Sequence, residues 1–89
     1  MELVLKELAE EHLRYFSKLG NKAVNNKIQK LLEELEEHPE TGTGQPERLK
    51  YDLSGYWSRR INGEHRIVYK IDEDTEMVTV FSVKGHYQK

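Results

Sequence analysis

Cysteine is absent from the 89-residue sequence. No disulfide can brace the chain and no thiolate can hold a metal, which fits a reducing compartment. Long apolar runs are absent too. No stretch comes near the ~20 apolar residues that a membrane-crossing helix needs, and the N-terminus carries no signal-peptide core. The expectation is a cytoplasmic protein with no membrane association. A surplus of positive charge is also missing: 14 Lys and Arg stand against 16 Asp and Glu, a formal net charge of −2. That balance argues against avid binding to free RNA. There is no internal repeat and no low-complexity tract. At this length one domain spanning residues 1–89 is expected, with a small core, since such a chain buries about 60–65% of its unfolded surface.

The charge that is present is unevenly placed. Residues 1–40 hold six Lys and Arg against nine Asp and Glu, net −3, whereas residues 45–70 hold Arg48, Lys50, Arg59, Arg60, Arg66 and Lys70 against Glu47, Asp52 and Glu64, net +3. Phosphate affinity follows local potential more than total charge. The same unevenness is equally compatible with a surface mixed only for solubility.

Hydrophobic spacing divides the chain into two halves. Leu3-Val4-Leu5 reads as a short strand at an edge or second position. Leu5, Leu8, Ala9, Leu13 and Phe16 then recur at three- and four-residue intervals, the period of a helix. Gly20-Asn21 stops this helix. Val24, Ile28, Leu31, Leu32 and Leu35 mark the buried face of a second, which ends at Pro39 because the residue before proline avoids the helical region. The two helices form an antiparallel hairpin. Thr41-Gly42-Thr43-Gly44-Gln45-Pro46 has no period and reads as a loop. Strands follow: a short one at Tyr51 to Leu53, then Tyr56 to Ile61 and His65 to Ile71 around Asn62-Gly63, a strong hairpin marker. Asp72-Glu73-Asp74 is a turn, and Met77 to Val83 is the last strand. The fold class is α+β: an N-terminal helical hairpin packed on a small twisted antiparallel β-sheet.

Few residues carry chemistry. Gly42-Thr43-Gly44 lacks the Gly-Lys-Ser/Thr ending of a P-loop and precedes a strand, so its expected role is to lead the chain from helix to sheet. Glu47, beside Pro46, is a solvated carboxylate when read alone and a general base at the mouth of the sheet when read as part of a site. Arg59, Arg60 and Arg66 flank the Asn-Gly turn. A two-residue turn sets Arg59 opposite Arg66, and like charges so placed repel unless an anion lies between them. A one-residue bulge changes which arginine shares a face with Arg66, and the sequence leaves the register open. These guanidiniums either keep a strand soluble or clamp a phosphate, for which planar donors are suited. His86-Tyr87 follows Lys84-Gly85 near the end of the chain. Histidine titrates near about 6.5 and can serve as a general acid. His12, His38 and His65 lack the spacing of a metal site, so no metal and no cofactor are expected. Together Glu, Arg and His supply what metal-free RNA cleavage requires: a base for the ribose 2′-hydroxyl, a cation for the phosphorane and an acid for the 5′ oxygen.

The run Gly44-Gln45-Pro46-Glu47-Arg48-Leu49-Lys50-Tyr51-Asp52-Leu53-Ser54-Gly55-Tyr56-Trp57-Ser58-Arg59-Arg60-Ile61 closely resembles the signature of the YoeB-type toxins, a branch of the RelE-like superfamily. So do Glu64-His65-Arg66-Ile67-Val68-Tyr69 and Lys84-Gly85-His86-Tyr87. The match covers roughly the second half at high specificity, and the first half agrees in helical layout. The resemblance implies a compact microbial-ribonuclease-like α+β domain. It implies that Glu47 is the general base, that His86 is the general acid and that Arg66 stabilises the phosphorane. Lys50 and Arg60, with Arg59, would contact RNA phosphate, and Tyr87 would position substrate or acid. It further implies a toxin that cleaves messenger RNA in the ribosomal A site, a cognate YefM-type antitoxin that wraps it, and a homodimer.

The chain departs from that family in being slightly acidic, and Gln45 and Arg48 stand where Lys and Pro are expected. Neither departure removes a chemical group. The alternative function is a toxin-like module that engages ribosome or antitoxin without cleaving. Kinship with gyrase-poisoning toxins of the same fold is not supported, because Glu47, Arg66 and His86 are all present.

Overall fold

The computed structural model describes residues 1–85. Strand β1 (Glu2–Leu5) leads into helix α1 (Glu7–Leu19) and helix α2 (Lys22–Glu37). Strands β2 (Glu47–Arg48), β3 (Trp57–Arg60), β4 (Arg66–Asp72) and β5 (Met77–Ser82) follow, with a 3-10 turn at Tyr51–Leu53. Among the described residues no helix is long and apolar enough to cross a membrane.

The helical hairpin forms where the hydrophobic period predicts it. Glu7 and Glu10 sit in the first turn of α1 and Lys18 in its last, each matched to the helix dipole. Gly20 ends α1 in the left-handed conformation, φ 72°, and its N–H returns to the carbonyls of Phe16 and Ser17. Asn21 caps α2 by accepting the Val24 N–H at 3.1 Å. Asn25 Nδ2 donates to the Phe16 carbonyl at 3.2 Å, which ties the two helices together. Helix α2 buries Ile28, Leu31, Leu32 and Leu35. Helix α1 buries Ala9 and Phe16, while Leu8, counted with that face from its spacing, is 50% exposed.

The sheet has the order β1-β5-β4-β3-β2. Its four later strands pair antiparallel, as expected. The first strand adds itself parallel to the last, Leu3 opposite Val78 and Leu5 opposite Val80, so the sheet as a whole is mixed. The chain between β1 and β5, both helices and strands β2 to β4, supplies the long connection that a parallel pair requires. Both helices cover one face, where Ile61, Ile67, Tyr69, Val78, Val80 and Val83 meet the helical apolar stripes in a single core. Leu31 and Leu35 are wholly buried there. Each such side chain stabilises the fold by about 1.5–3 kcal/mol.

One local detail differs from the sequence reading, and another that it leaves open is settled by the structure. Tyr51 to Leu53 is a 3-10 turn instead of a strand, closed by Leu53 N–H to Lys50 O at 3.1 Å and Ser54 N–H to Tyr51 O at 3.0 Å. Tyr51 has φ 58°, and the turn-forming Asp52, Ser54 and Gly55 follow it. The edge strand lies earlier, at Glu47–Arg48. Second, the Asn62-Gly63 hairpin takes the shifted register: Arg60 faces Arg66, and Arg59 faces Ile67. Asn62 Oδ1 accepts the N–H groups of Glu64 and His65 at 2.8 and 2.9 Å. Neither Asn62 nor Gly63 has a positive φ, which a two-residue type I′ turn would require. The Asn side chain satisfies the turn amides, and Ile61 N–H to His65 O closes a longer loop.

Candidate functional site

The face of the sheet opposite the helices carries the candidate site. Along β3, Arg59 turns to the helices, so Ser58 and Arg60 take the other face; along β4 the same alternation gives Arg66, Val68 and Lys70. Strand β2 pairs Glu47 with Ser58 and Arg48 with Trp57. These pairings gather groups far apart in sequence. Arg66 Nη1 donates to Ser58 Oγ at 3.1 Å and to Glu47 Oε1 at 3.3 Å. Ser58 is wholly buried beside the guanidinium. The Arg66 side chain is 13% exposed and the Glu47 side chain 48%. The result is a rigid cation beside an accessible carboxylate.

Cationic groups surround this pair. Arg60 is exposed and lies directly across the ladder from Arg66. Like charges so placed repel, and the Glu47 carboxylate offsets part of that repulsion. Lys50 is exposed just beyond β2. Arg48 stands apart from them: paired with Trp57 on the helical side of the sheet, its guanidinium lies 5.2 Å over the Trp57 ring. Lys70 Nζ sits 4.6 Å from the Tyr56 ring centre, and Tyr56 meets Phe81 edge-on at 5.1 Å. Among the described residues no group of three His, Asp or Glu side chains gathers to hold a metal ion.

Arg59 corrects the sequence reading. It was expected to contact RNA phosphate, but its side chain is wholly buried on the helical side. Its guanidinium donates to Glu34 Oε1 at 3.1 Å, to the carbonyls of Thr43 at 3.4 Å and Thr41 at 2.6 Å, and to the His38 carbonyl. Its Nε donates to the Tyr69 hydroxyl at 3.3 Å. Burial raises the Tyr69 hydroxyl above its ordinary value, against the pull of Arg59. That hydroxyl donates onward to the Pro39 carbonyl at 2.7 Å. Glu34 is held below the ordinary carboxylate value by the Thr43 N–H, with Arg59 assisting. Arg59 thus staples the segment after α2 to the sheet. The one-residue register shift decides its fate, because a slip moves every side chain to the other face.

The loop that leads to Glu47 is fitted to the same staple. Gly44 O accepts the Arg60 N–H at 2.7 Å. A Cβ at Gly44 would lie 2.8 Å from Arg60 O, and the residue has φ 87°. The glycines here serve close backbone approach, in line with the expected role of carrying the chain into the sheet.

His86 and Tyr87 lie outside the described residues. The main chain up to them is described: Arg66 N–H donates to Gly85 O at 3.0 Å. The residue preceding His86 is therefore bonded to the backbone of the same arginine whose side chain holds Glu47. Ser58 is a member of this site that the sequence reading missed. Only the β3–β4 register could have revealed it.

Comparison with known proteins agrees with the fold and the motif. The family of YoeB-like toxins of bacterial type II toxin–antitoxin systems matches residues 6–87. The chain is 40% identical over 90 residues to toxin YoeB of Synechocystis sp., covering 100% of both chains. Among solved structures it resembles the YoeB/ParE toxin from Agrobacterium tumefaciens with a TM-score of 0.89 and 33% identity, covering 98% of this chain and 100% of that one. It resembles the YoeB-YefM complex from Staphylococcus aureus with a TM-score of 0.82 and 39% identity, covering 98% of each chain.

Proposed function

The chain belongs to the YoeB-like toxins of bacterial type II toxin–antitoxin systems, and from that premise we propose that it is a metal-independent endoribonuclease that cuts messenger RNA in the ribosomal A site. The observation that carries the proposal is the Arg66 guanidinium held between Ser58 Oγ and the Glu47 carboxylate on the helix-free face. In this reading Glu47 takes the proton from the ribose 2′-hydroxyl, and that oxygen attacks the adjacent phosphorus. Arg66, already oriented by Ser58, steadies the charge on the phosphorane, where a fixed donor is worth more than a mobile one. His86 protonates the departing 5′ oxygen. Arg60 and Lys50 attract the flanking phosphates, and Tyr87 positions substrate or acid.

The net charge of −2 supports dependence on the ribosome. Weak attraction to free RNA leaves orientation of the 2′-hydroxyl to the decoding site, and positioning can supply several kcal/mol, up to about 7–11 in favourable cases. The proposal extends to the cytoplasm as location, to a YefM-type antitoxin that covers the site and to a homodimer.

The test is cleavage of a message on programmed ribosomes by the purified chain, with the product ends mapped. Attack by the internal 2′ oxygen leaves a 2′,3′-cyclic phosphate or 3′-phosphate and a 5′-hydroxyl. A 5′-phosphate end refutes the mechanism. So does cleavage of a short RNA, in chelator and at high enzyme concentration, that appears only when zinc or manganese is added.

A further inference from the structure

Two imidazoles hold the main chain at the end of β5. Val83 N–H donates to His12 Nδ1 at 3.0 Å, and Gly85 N–H donates to His65 Nδ1 at 2.8 Å. His12 comes from α1 and His65 from the residue before β4, so the helical layer and the sheet each supply one acceptor. Gly85 is gripped on its other side as well, through the bond from Arg66 N–H to Gly85 O. Backbone donors near a strand end are commonly met by carbonyls or water. Here the acceptors are ring nitrogens, and Nδ1 accepts only while it carries no proton.

The surroundings keep this arrangement compact. Phe16 packs edge-on against His65 at 5.0 Å. Burial holds His12 below its ordinary value, helped by the Lys84 ammonium and by His65, and opposed by Glu11. Lys84 in turn lies 4.2 Å over the Tyr15 ring on α1. The downward shift at His12 favours the neutral ring, the form in which Nδ1 accepts.

We propose that His12 and His65 are positioning residues: as paired Nδ1 acceptors they fix the main chain at Val83 and Gly85, the segment that immediately precedes His86 in the sequence. The inference rests on the reading of His86 as the acid. Gly85 is joined covalently to His86 and by hydrogen bond to the Arg66 backbone. In that reading, loosening this segment removes the anchor of the residue next to the acid. Protonation of the His12 ring turns its acceptor into a donor facing another donor, so that half of the clasp opens as pH falls below the ordinary imidazole value. The groups that bias this step at His12 are Lys84, Glu11 and His65.

The experiment uses the full chain. His12→Phe and His65→Phe remove the acceptor, while His12→Asn and His65→Asn set a carboxamide oxygen near the place of Nδ1 and do not titrate. Hydrogen-exchange protection at the Val83 and Gly85 amides is read by NMR. Single-turnover cleavage is read on programmed ribosomes. Each Phe variant is expected to lose protection at its own amide while Tyr69 in the core keeps its protection. Its cleavage rate falls about 10–100-fold, the scale of a small misplacement, with no change in the concentration of ribosomes needed for saturation. The Asn variants retain both. In the parent, protection at the Val83 amide drops only as pH falls below the ordinary imidazole value, because burial holds His12 down, and in His12→Asn it does not. Protection that survives in the Phe variants overturns the clasp, as does its loss in the Asn variants or an equal pH response at Val83 in His12→Asn, which decides the matter even if the Phe variants fold poorly. Protection lost with cleavage at the parental rate overturns the positioning role. His86→Gln runs beside them. If it cleaves normally, the catalytic reading fails, and the exchange data still judge the clasp.

Discussion

Replacing Arg59 by Met removes a buried guanidinium and keeps a stem of similar length. The parent side chain is wholly buried and bonds Glu34, the Tyr69 hydroxyl and the carbonyls of His38, Thr41 and Thr43. Without it, Glu34 retains the Thr43 N–H at 2.8 Å but loses its cation, and three carbonyls lose a donor. Each buried group left unmet costs about 1–3 kcal/mol. Some of them regain water if the segment loosens, so the whole change is expected to cost about 3–5 kcal/mol, as for a buried pair broken on one side. Against roughly 0.05–0.15 kcal/mol per residue of total stability, that is a large share. At about 4–8 °C per kcal/mol for a domain of this size, Tm should fall by at least about 12 °C. Urea unfolding followed by fluorescence of Trp57 provides the assay, because this ring stacks on Tyr69 at 6.4 Å and reports on the same layer. Removing both partners, Arg59→Met with Glu34→Leu, should recover part of the loss, since no carboxylate is then stranded. A single variant within about 1 kcal/mol of the parent, the scale of an ordinary surface pair, refutes the staple.

Arg66→Ala should lower cleavage by about 10²–10³-fold, the scale of a fixed oxyanion donor. Arg48→Ala should lower it less, because Arg48 is exposed and lies over Trp57; equal small losses on programmed ribosomes would place the phosphate clamp elsewhere. Glu34 should shape the acid side of the stability profile. Its folded pKa lies below the ordinary 4.5, so its contribution is complete above that value and is lost as pH falls through the lowered one. Glu34→Gln should therefore flatten the fall in urea midpoint between about pH 5 and 3, and an unchanged slope would show that another carboxylate governs it.

Most of the fold could be read from periodicity, whereas the site depended on register. Ile28, Leu31, Leu32 and Leu35 announced α2 because a 3.6-residue period survives any detail of packing. Leu8 matched the spacing of α1 and still lies 50% exposed, since the stripe is centred on Ala9 and Phe16. The parallel pairing of β1 with β5 joins residues about as far apart as the chain allows, and no local pattern encodes such a contact. The turn chemistry at Asn62 decided the arginines. Once its side chain took the amides of Glu64 and His65, Arg60 and Arg66 faced one another and Arg59 entered the core. The spacing of His12 and His65 along the sequence speaks only against metal binding. Their role as acceptors for β5 depends on backbone amides that carry no residue signature.

Glu47 is the group on which the ribonuclease reading turns most directly. Glu47→Gln is nearly isosteric and can still accept a bond from Arg66, but it cannot take the 2′-hydroxyl proton. Its cleavage rate on ribosome-bound message should fall by about 10²–10⁴-fold, the range for loss of a general base, while its urea midpoint stays close to that of the parent. Glu47→Asp should retain part of the activity. A Glu47→Gln protein that cleaves ribosome-bound message as fast as the parent would return Glu47 to the role of a surface carboxylate paired with Arg66 and contradict the account at its centre.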